Sequence, residues 1–115
     1  MIVELVTFKA PAGADWEGIL ADARPTVPRW QSNRDLVRKH YLVSEDGRDC
    51  AGLYVWPSRA AAEQAHDAAW RASIERRTGS TPHIAYFDLM MLVDNEAGTV
   101  TEWSSTGEKR VVAPV

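Results

Sequence analysis

The sequence predicts an α+β fold of order βαββαβ, the ferredoxin-like split arrangement. Three observations carry this reading. Four short runs rich in Val, Leu, Ile and aromatic residues alternate with turn residues. The two central runs are joined by an Asp-Gly turn, a strong hairpin signal. An Ala-rich stretch of high helix propensity precedes the last run. Taken in order, Ile2 to Phe8 is the first strand, closed by Pro11 and Gly13. Asp15 caps a helix in which Trp16, Ile19, Leu20 and Ala23 recur at helical spacing, and Pro25 and Pro28 end or kink it. Leu36 to Val43 is the second strand, Ser44 to Arg48 the turn, and Cys50 to Trp56 the third strand, stopped by Pro57. Ser58 caps a second helix over 59–76, with Ala at 60, 61, 62, 65, 68, 69 and 72. Thr78 to Pro82 breaks it, and Ile84 to Val93 is one long fourth strand.

Length and composition bound the rest. The chain has 115 residues, 45% hydrophobic and 25% charged, which is one globular domain's worth. A formal net charge of −3 argues against a nucleic-acid partner, because phosphate binding needs a cationic face, and the cluster Arg34, Arg38, Lys39 is diluted by Asp35. No apolar run approaches the length that spans a bilayer, and the first residues, with Glu4 among them, read as a strand rather than a signal peptide. A cytoplasmic location without membrane contact is therefore expected. The single cysteine, Cys50, excludes an internal disulfide and reads as a small core residue. Five tryptophans are many for so small a core, and their rings need an interface or a pocket to line. Trp16 and Trp30 are expected to pack the first helix and its exit, and Trp103 to anchor the tail on a partner surface.

The strand faces carry the central inference. Side chains alternate across a strand, and in this sheet neither face is polar enough to sit in water. Two helices cover one face. A second copy of the chain is the simplest cover for the other, giving a homodimer with a shared barrel-like core. The core domain is expected over residues 1–95. Residues 96–115 form a C-terminal extension: a small hairpin around Thr106-Gly107, a dimer-embracing arm or a frayed tail.

The stretches Leu36-Val37-Arg38-Lys39-His40-Tyr41-Leu42, Ser44-Glu45-Asp46-Gly47-Arg48 and Gly52 to Glu63, with Tyr86-Phe87-Asp88 and Val93-Asp94-Asn95 after them, resemble a dimeric α/β-barrel family of monooxygenase-like proteins. That family is related to the cofactor-independent antibiotic-biosynthesis monooxygenases. The resemblance covers about residues 2–95. It implies a dimeric α/β barrel, and it bears more on the fold than on any one activity, since one fold hosts many chemistries.

No phosphate-cradling loop, dinucleotide fingerprint or nucleophile elbow is present, and His40, His66 and His83 lie in three separate elements without metal-ligand spacing. Neither a metal nor another cofactor is expected. Arg38, His40, Tyr54, Trp56, Tyr86 and Asp88 fall on the less apolar faces of adjacent strands; aligned, they make an aromatic-walled concave patch with a few polar groups. The plainer reading pairs Arg38 with Asp88 or Glu4 across strands and leaves the rings as packing. His66 and Trp70, four apart on the second helix, either look into a cavity or pack at the helix rim. As an enzyme, the chain would deprotonate a small hydroxylated aromatic or polyketide-like substrate with His40 or Asp88 as catalytic base. Tyr54, Tyr86 or Arg38 would hold the oxyanion, and Trp56 and Trp70 would wall the pocket. As a non-enzyme, it would be a dimeric domain that binds a small apolar or aromatic molecule or a protein partner. A non-oxidative isomerase or lyase on the same scaffold is a third reading.

Overall fold

The computed structural model describes residues 1–114, so the last residue of the predicted 96–115 extension, Val115, lies outside the described residues. The elements run β1 (Ile2–Lys9), α1 (Trp16–Ala23), a 3₁₀ turn (Arg24–Thr26), α2 (Val27–Gln31), β2 (Arg38–Val43), β3 (Asp49–Trp56), α3 (Arg59–Ala65), α4 (Ala68–Thr78), β4 (His83–Asp88), β5 (Met91–Asp94), β6 (Thr99–Trp103) and β7 (Lys109–Pro114). The main sheet has the order β2-β3-β1-β4 and every neighbour is antiparallel. This is the ferredoxin-like α+β architecture, with the helices packed on one face.

Local chemistry explains where the elements start and stop. Asp15 accepts from the Gly18 amide to begin α1, and Ser58 accepts from the Ala61 amide to begin α3. Both are side-chain caps of otherwise orphaned donors. The stretch 59–76 is not one helix. Asp67 accepts from the Trp70 amide and starts α4 afresh, while His66 ends α3 with non-helical backbone. An Asp inside an Ala-rich run competes with the helix by capping a new one. The break turns His66 inward, where its side chain is fully buried. Gly79 closes α4 in the left-handed conformation.

The fourth strand also divides. β4 ends at Asp88, and β5 belongs to a second sheet of order β5-β6-β7. The amide of Leu89 bonds to the Met1 carbonyl at 3.0 Å, and the Met90 carbonyl accepts from Trp103 at 3.0 Å, so the chain changes sheets between them. The β6–β7 turn runs through Ser104 and Gly107. This second sheet lengthens the molecule: the radius of gyration is 15.7 Å, against about 13 Å for a compact chain of this size.

Strand alternation sorts the main sheet cleanly. The helix-covered face holds Glu4, Val6, Tyr54, Trp56, Ile84 and Tyr86, and with Trp30, Trp70 and Ile74 from the helices these make the core. The first helix contributes less than its apolar spacing promised: α1 buries no residue fully, and Trp16 is 67% exposed. The opposite face is open. Across it run the rows His40–Leu53–Leu5–Ala85 and Arg38–Val55–Val3–Phe87, apolar at the centre and polar at the β2 edge.

Candidate functional site

Between the helix-covered face and the helices lies a partly open pocket of about 460 Å³. Its walls include Trp30 from α2, Tyr54 from β3 and Trp70 from α4, with Lys39 and Tyr41 from β2 and Arg77 from α4. Its size and mostly apolar wall with a few convergent polar groups are those of a small-molecule site.

Lys39 is the feature least explained by packing. Register places it opposite Tyr54. Its Nζ stands 3.8 Å from the centroid of Tyr41, 4.3 Å from Trp30 and 4.8 Å from Tyr54. Among the described residues no carboxylate pairs with it. Burial, then the nearby Arg29 and Arg77 cations, push its pKa down to about 7, while the ring faces partly offset the lost hydration. The linkage sign follows. Unfolded, the amine binds its proton up to about 10.4; folded, it releases it near 7. The penalty for the buried cation is full below about pH 7 and fades as pH rises, so stability rises through that window. Urea midpoints at pH 6.5 and 9 should show this rise, and Lys39→Met should reduce it.

Behind the cavity lies a second polar cluster. Glu4 and His66 are both buried. The Trp56 indole N–H donates to Glu4 Oε1 at 2.9 Å. His66 Nδ1 is 2.8 Å from the same oxygen without forming a directed hydrogen bond to it. Among the described residues, Glu4 Oε2 and His66 Nε2 have no hydrogen-bond partner. Trp30, Tyr54, Trp56 and Trp70 surround the imidazole, Trp70 nearest at 4.3 Å between centroids. Burial first, then the Glu4 carboxylate, raises the Tyr54 phenol far above its usual range, so it remains a neutral hydroxyl. The same two causes lead in raising Tyr86, which lies opposite Glu4 and under the Arg59 guanidinium.

Of the residues picked from sequence, Tyr54 and Trp70 line the cavity. Trp56 and His66 stand one layer back in the aromatic cage, and half-buried Tyr86 flanks Glu4. Arg38 and His40 do not join them. They pair with Val55 and Leu53 on the open face, because β2 is offset by one residue from the alignment expected with Tyr54 and Trp56. Asp88 shares the covered side but is exposed at the end of β4, away from the cavity wall. The expected Arg38 ion pair with Asp88 or Glu4 does not form; Glu4 faces His66 instead. Sequence reasoning passed over Glu4, Trp30, Lys39, Arg29 and Arg77 as site residues. Counting outward from the Asp46-Gly47 turn would have found Lys39, since it fixes Val43 opposite Cys50 and hence Lys39 opposite Tyr54.

Gly52 has a close-approach role. The Tyr54 ring folds back over it, and a Cβ at Gly52 would lie 2.7 Å from the ring's Cε1 and 2.9 Å from its hydroxyl. Gly52→Ala should displace the ring from the cavity wall and cost about 1–3 kcal/mol. Urea unfolding with near-UV circular dichroism would show both effects; unchanged stability and spectrum would count against this packing.

No protein-family model matches the sequence, and no curated protein matches it. Solved structures do match in shape. A monooxygenase of Streptomyces coelicolor, ActVA-Orf6, in complex with nanaomycin D, superposes with a TM-score of 0.63 at 18% identity, over 80% of this chain and 89% of that one. Rv0793 of Mycobacterium tuberculosis gives 0.61 at 11% identity, over 82% and 100%. A variant of SnoaB, a cofactor-independent oxygenase of Streptomyces nogalater, gives 0.58 at 18% identity, over 80% and 96%. The chain therefore has the ferredoxin-like fold seen in the antibiotic-biosynthesis monooxygenases.

Proposed function

We propose that this chain is a cofactor-independent oxygenase that acts on a small hydroxylated aromatic in the cavity between sheet and helices. The observation that carries the proposal is the cavity itself, about 460 Å³ with Trp30, Tyr54 and Trp70 in its wall and the Lys39 amine among the rings. The likeness in shape to oxygenases that need no cofactor supports the same reading.

Such a reaction asks for a base, an oxyanion partner and a dry pocket. Lys39 takes the place expected for His40 or Asp88, since it is the amine that reaches the cavity and titrates near neutrality, at about 7. Its neutral form accepts the substrate hydroxyl proton, and the resulting ammonium stays beside the oxyanion. The electron-rich ring then reduces dioxygen, a C–O bond forms, and loss of water from the hydroperoxide leaves a carbonyl. One dioxygen is consumed and one water released for each CH₂ converted to C=O. The aromatic walls hold the ring flat.

The working unit proposed here is a homodimer. The open sheet face has an apolar centre and a polar edge, the pattern of an interface core and rim. The second sheet extends the molecule and carries exposed Met91, Val93, Val111 and Val112, which suits an arm laid over a partner. Among the described residues no helix is long and apolar enough to cross a membrane.

The test is dioxygen uptake with anthrone and naphthalenediol substrates, without added flavin or metal. Uptake with a quinone product is expected, and Lys39→Met should lower its rate about a hundredfold. Saturable binding of these compounds without uptake would instead favour a non-catalytic ligand-binding domain.

A further inference from the structure

The cavity wall is not electrically neutral. Arg29, Lys39 and Arg77 line it, and Asp22 is the one acidic residue in the same wall. The chain as a whole carries a formal charge of −3, so this local cationic excess runs against the composition. Arg29 and Lys39 both lie against the Trp30 ring, at 5.0 Å and 4.3 Å from its centroid. Arg29 is tied down, donating to the Ala65 carbonyl at 2.9 Å. Among the described residues, Arg29, Lys39 and Arg77 form no salt bridge with a carboxylate.

Three like charges converge on one cavity, against Asp22 as the acidic residue among its described lining residues. Arg29 and Arg77 are exposed and their repulsion is screened, so the cost falls mainly on the half-buried Lys39, where an anion would offset it. Two guanidiniums keep their charge at any ordinary pH, and the Lys39 ammonium is restored when an anion arrives. Trp30 and Tyr54 beside these cations offer ring surface for a flat apolar body.

We propose that the cavity selects a fused-ring aromatic bearing one anionic oxygen group, a carboxylate or an ionised hydroxyl, held by Arg29, Lys39 and Arg77. The proposal rests on the cavity being the substrate site and deepens that reading by naming the charge of its ligand. Asp22 disfavours a second negative charge near its side of the wall.

The experiment compares 2-naphthoate with its neutral isostere 2-naphthamide by isothermal titration calorimetry at pH 7, on the full chain. The naphthoate should bind at least tenfold more tightly, and its binding should take up a proton from buffer. Arg77→Gln should cut the preference for naphthoate over naphthamide severalfold; Lys39→Met should reduce it further and remove the proton uptake. Equal or tighter binding of the amide, no saturable naphthoate binding, or an unchanged preference in both variants would overturn the proposal. These readouts involve no turnover. An anion preference without dioxygen uptake would sink the oxygenase reading alone, and uptake with an equal preference would sink this inference alone.

Discussion

Replacing His66 by alanine is expected to destabilise the fold by about 3–5 kcal/mol, a large share of a small domain's total stability. Two losses combine. The imidazole fills the space between Trp30, Tyr54, Trp56 and Trp70, so its removal opens a cavity in the aromatic core. It also strips the fully buried Glu4 of the imidazole 2.8 Å away, leaving only the directed bond from the Trp56 indole that it already had. A carboxylate that has lost its partner in such surroundings costs more than the pair contributed when intact. Glu4→Gln keeps an acceptor for the indole and removes the charge, so it should cost less. The discriminating measurement is the double-mutant cycle by urea unfolding. Coupling between Glu4→Gln and His66→Ala of about 1–3 kcal/mol is expected. Additivity within about 0.5 kcal/mol would mean that the two side chains are merely neighbours.

The same cluster shows what the sequence could and could not reveal. The four strands of the main sheet were legible because their apolar runs end at strong stop signals: Pro11 after β1, the Asp46-Gly47 turn after β2, Pro57 after β3. The caps at Asp15 and Ser58 were legible for the same reason, a side-chain acceptor just before a helical run. His66 and Trp70 were rightly noticed together, yet for an insufficient reason. They touch although Asp67 breaks the helix between them, because the cage around His66 holds both rings. A propensity sum over the Ala-rich window cannot see that break, which depends on one side chain capping one amide. The division of the fourth strand was hidden for a related reason: Ile84 to Val93 is almost wholly apolar, and Asp88, the one charge in it, sits where β4 ends without a turn residue beside it to mark the change of sheet. The site suffered most from register. Alternation within β2 was read correctly, but joining β2 to β3 one residue out of step put His40 and Arg38 where Lys39 stands.

Leu53→Arg should separate the proposed dimer into monomers. Leu53 lies between His40 and Leu5 on the open face, near the middle of the row His40–Leu53–Leu5–Ala85. A guanidinium there would be buried without a carboxylate partner, at a cost of about 3 kcal/mol or more per site. Twofold symmetry brings both copies into one interface, so each dimer carries the cost twice and association weakens by about 10⁴-fold. The monomer itself should stay folded, because the substitution faces away from the helix-covered core that contains Val6, Tyr54 and Trp56. Sedimentation velocity across a range of concentrations reads the outcome directly: a dimer for the unaltered chain, a monomer with retained far-ultraviolet circular dichroism for the variant. If the unaltered chain sediments as a monomer at every concentration, the open face has a different cover and the dimeric barrel is wrong. Because the cavity lies on the other side of the sheet, naphthoate binding should survive in the monomer; a parallel loss of binding would show that a partner copy completes the site.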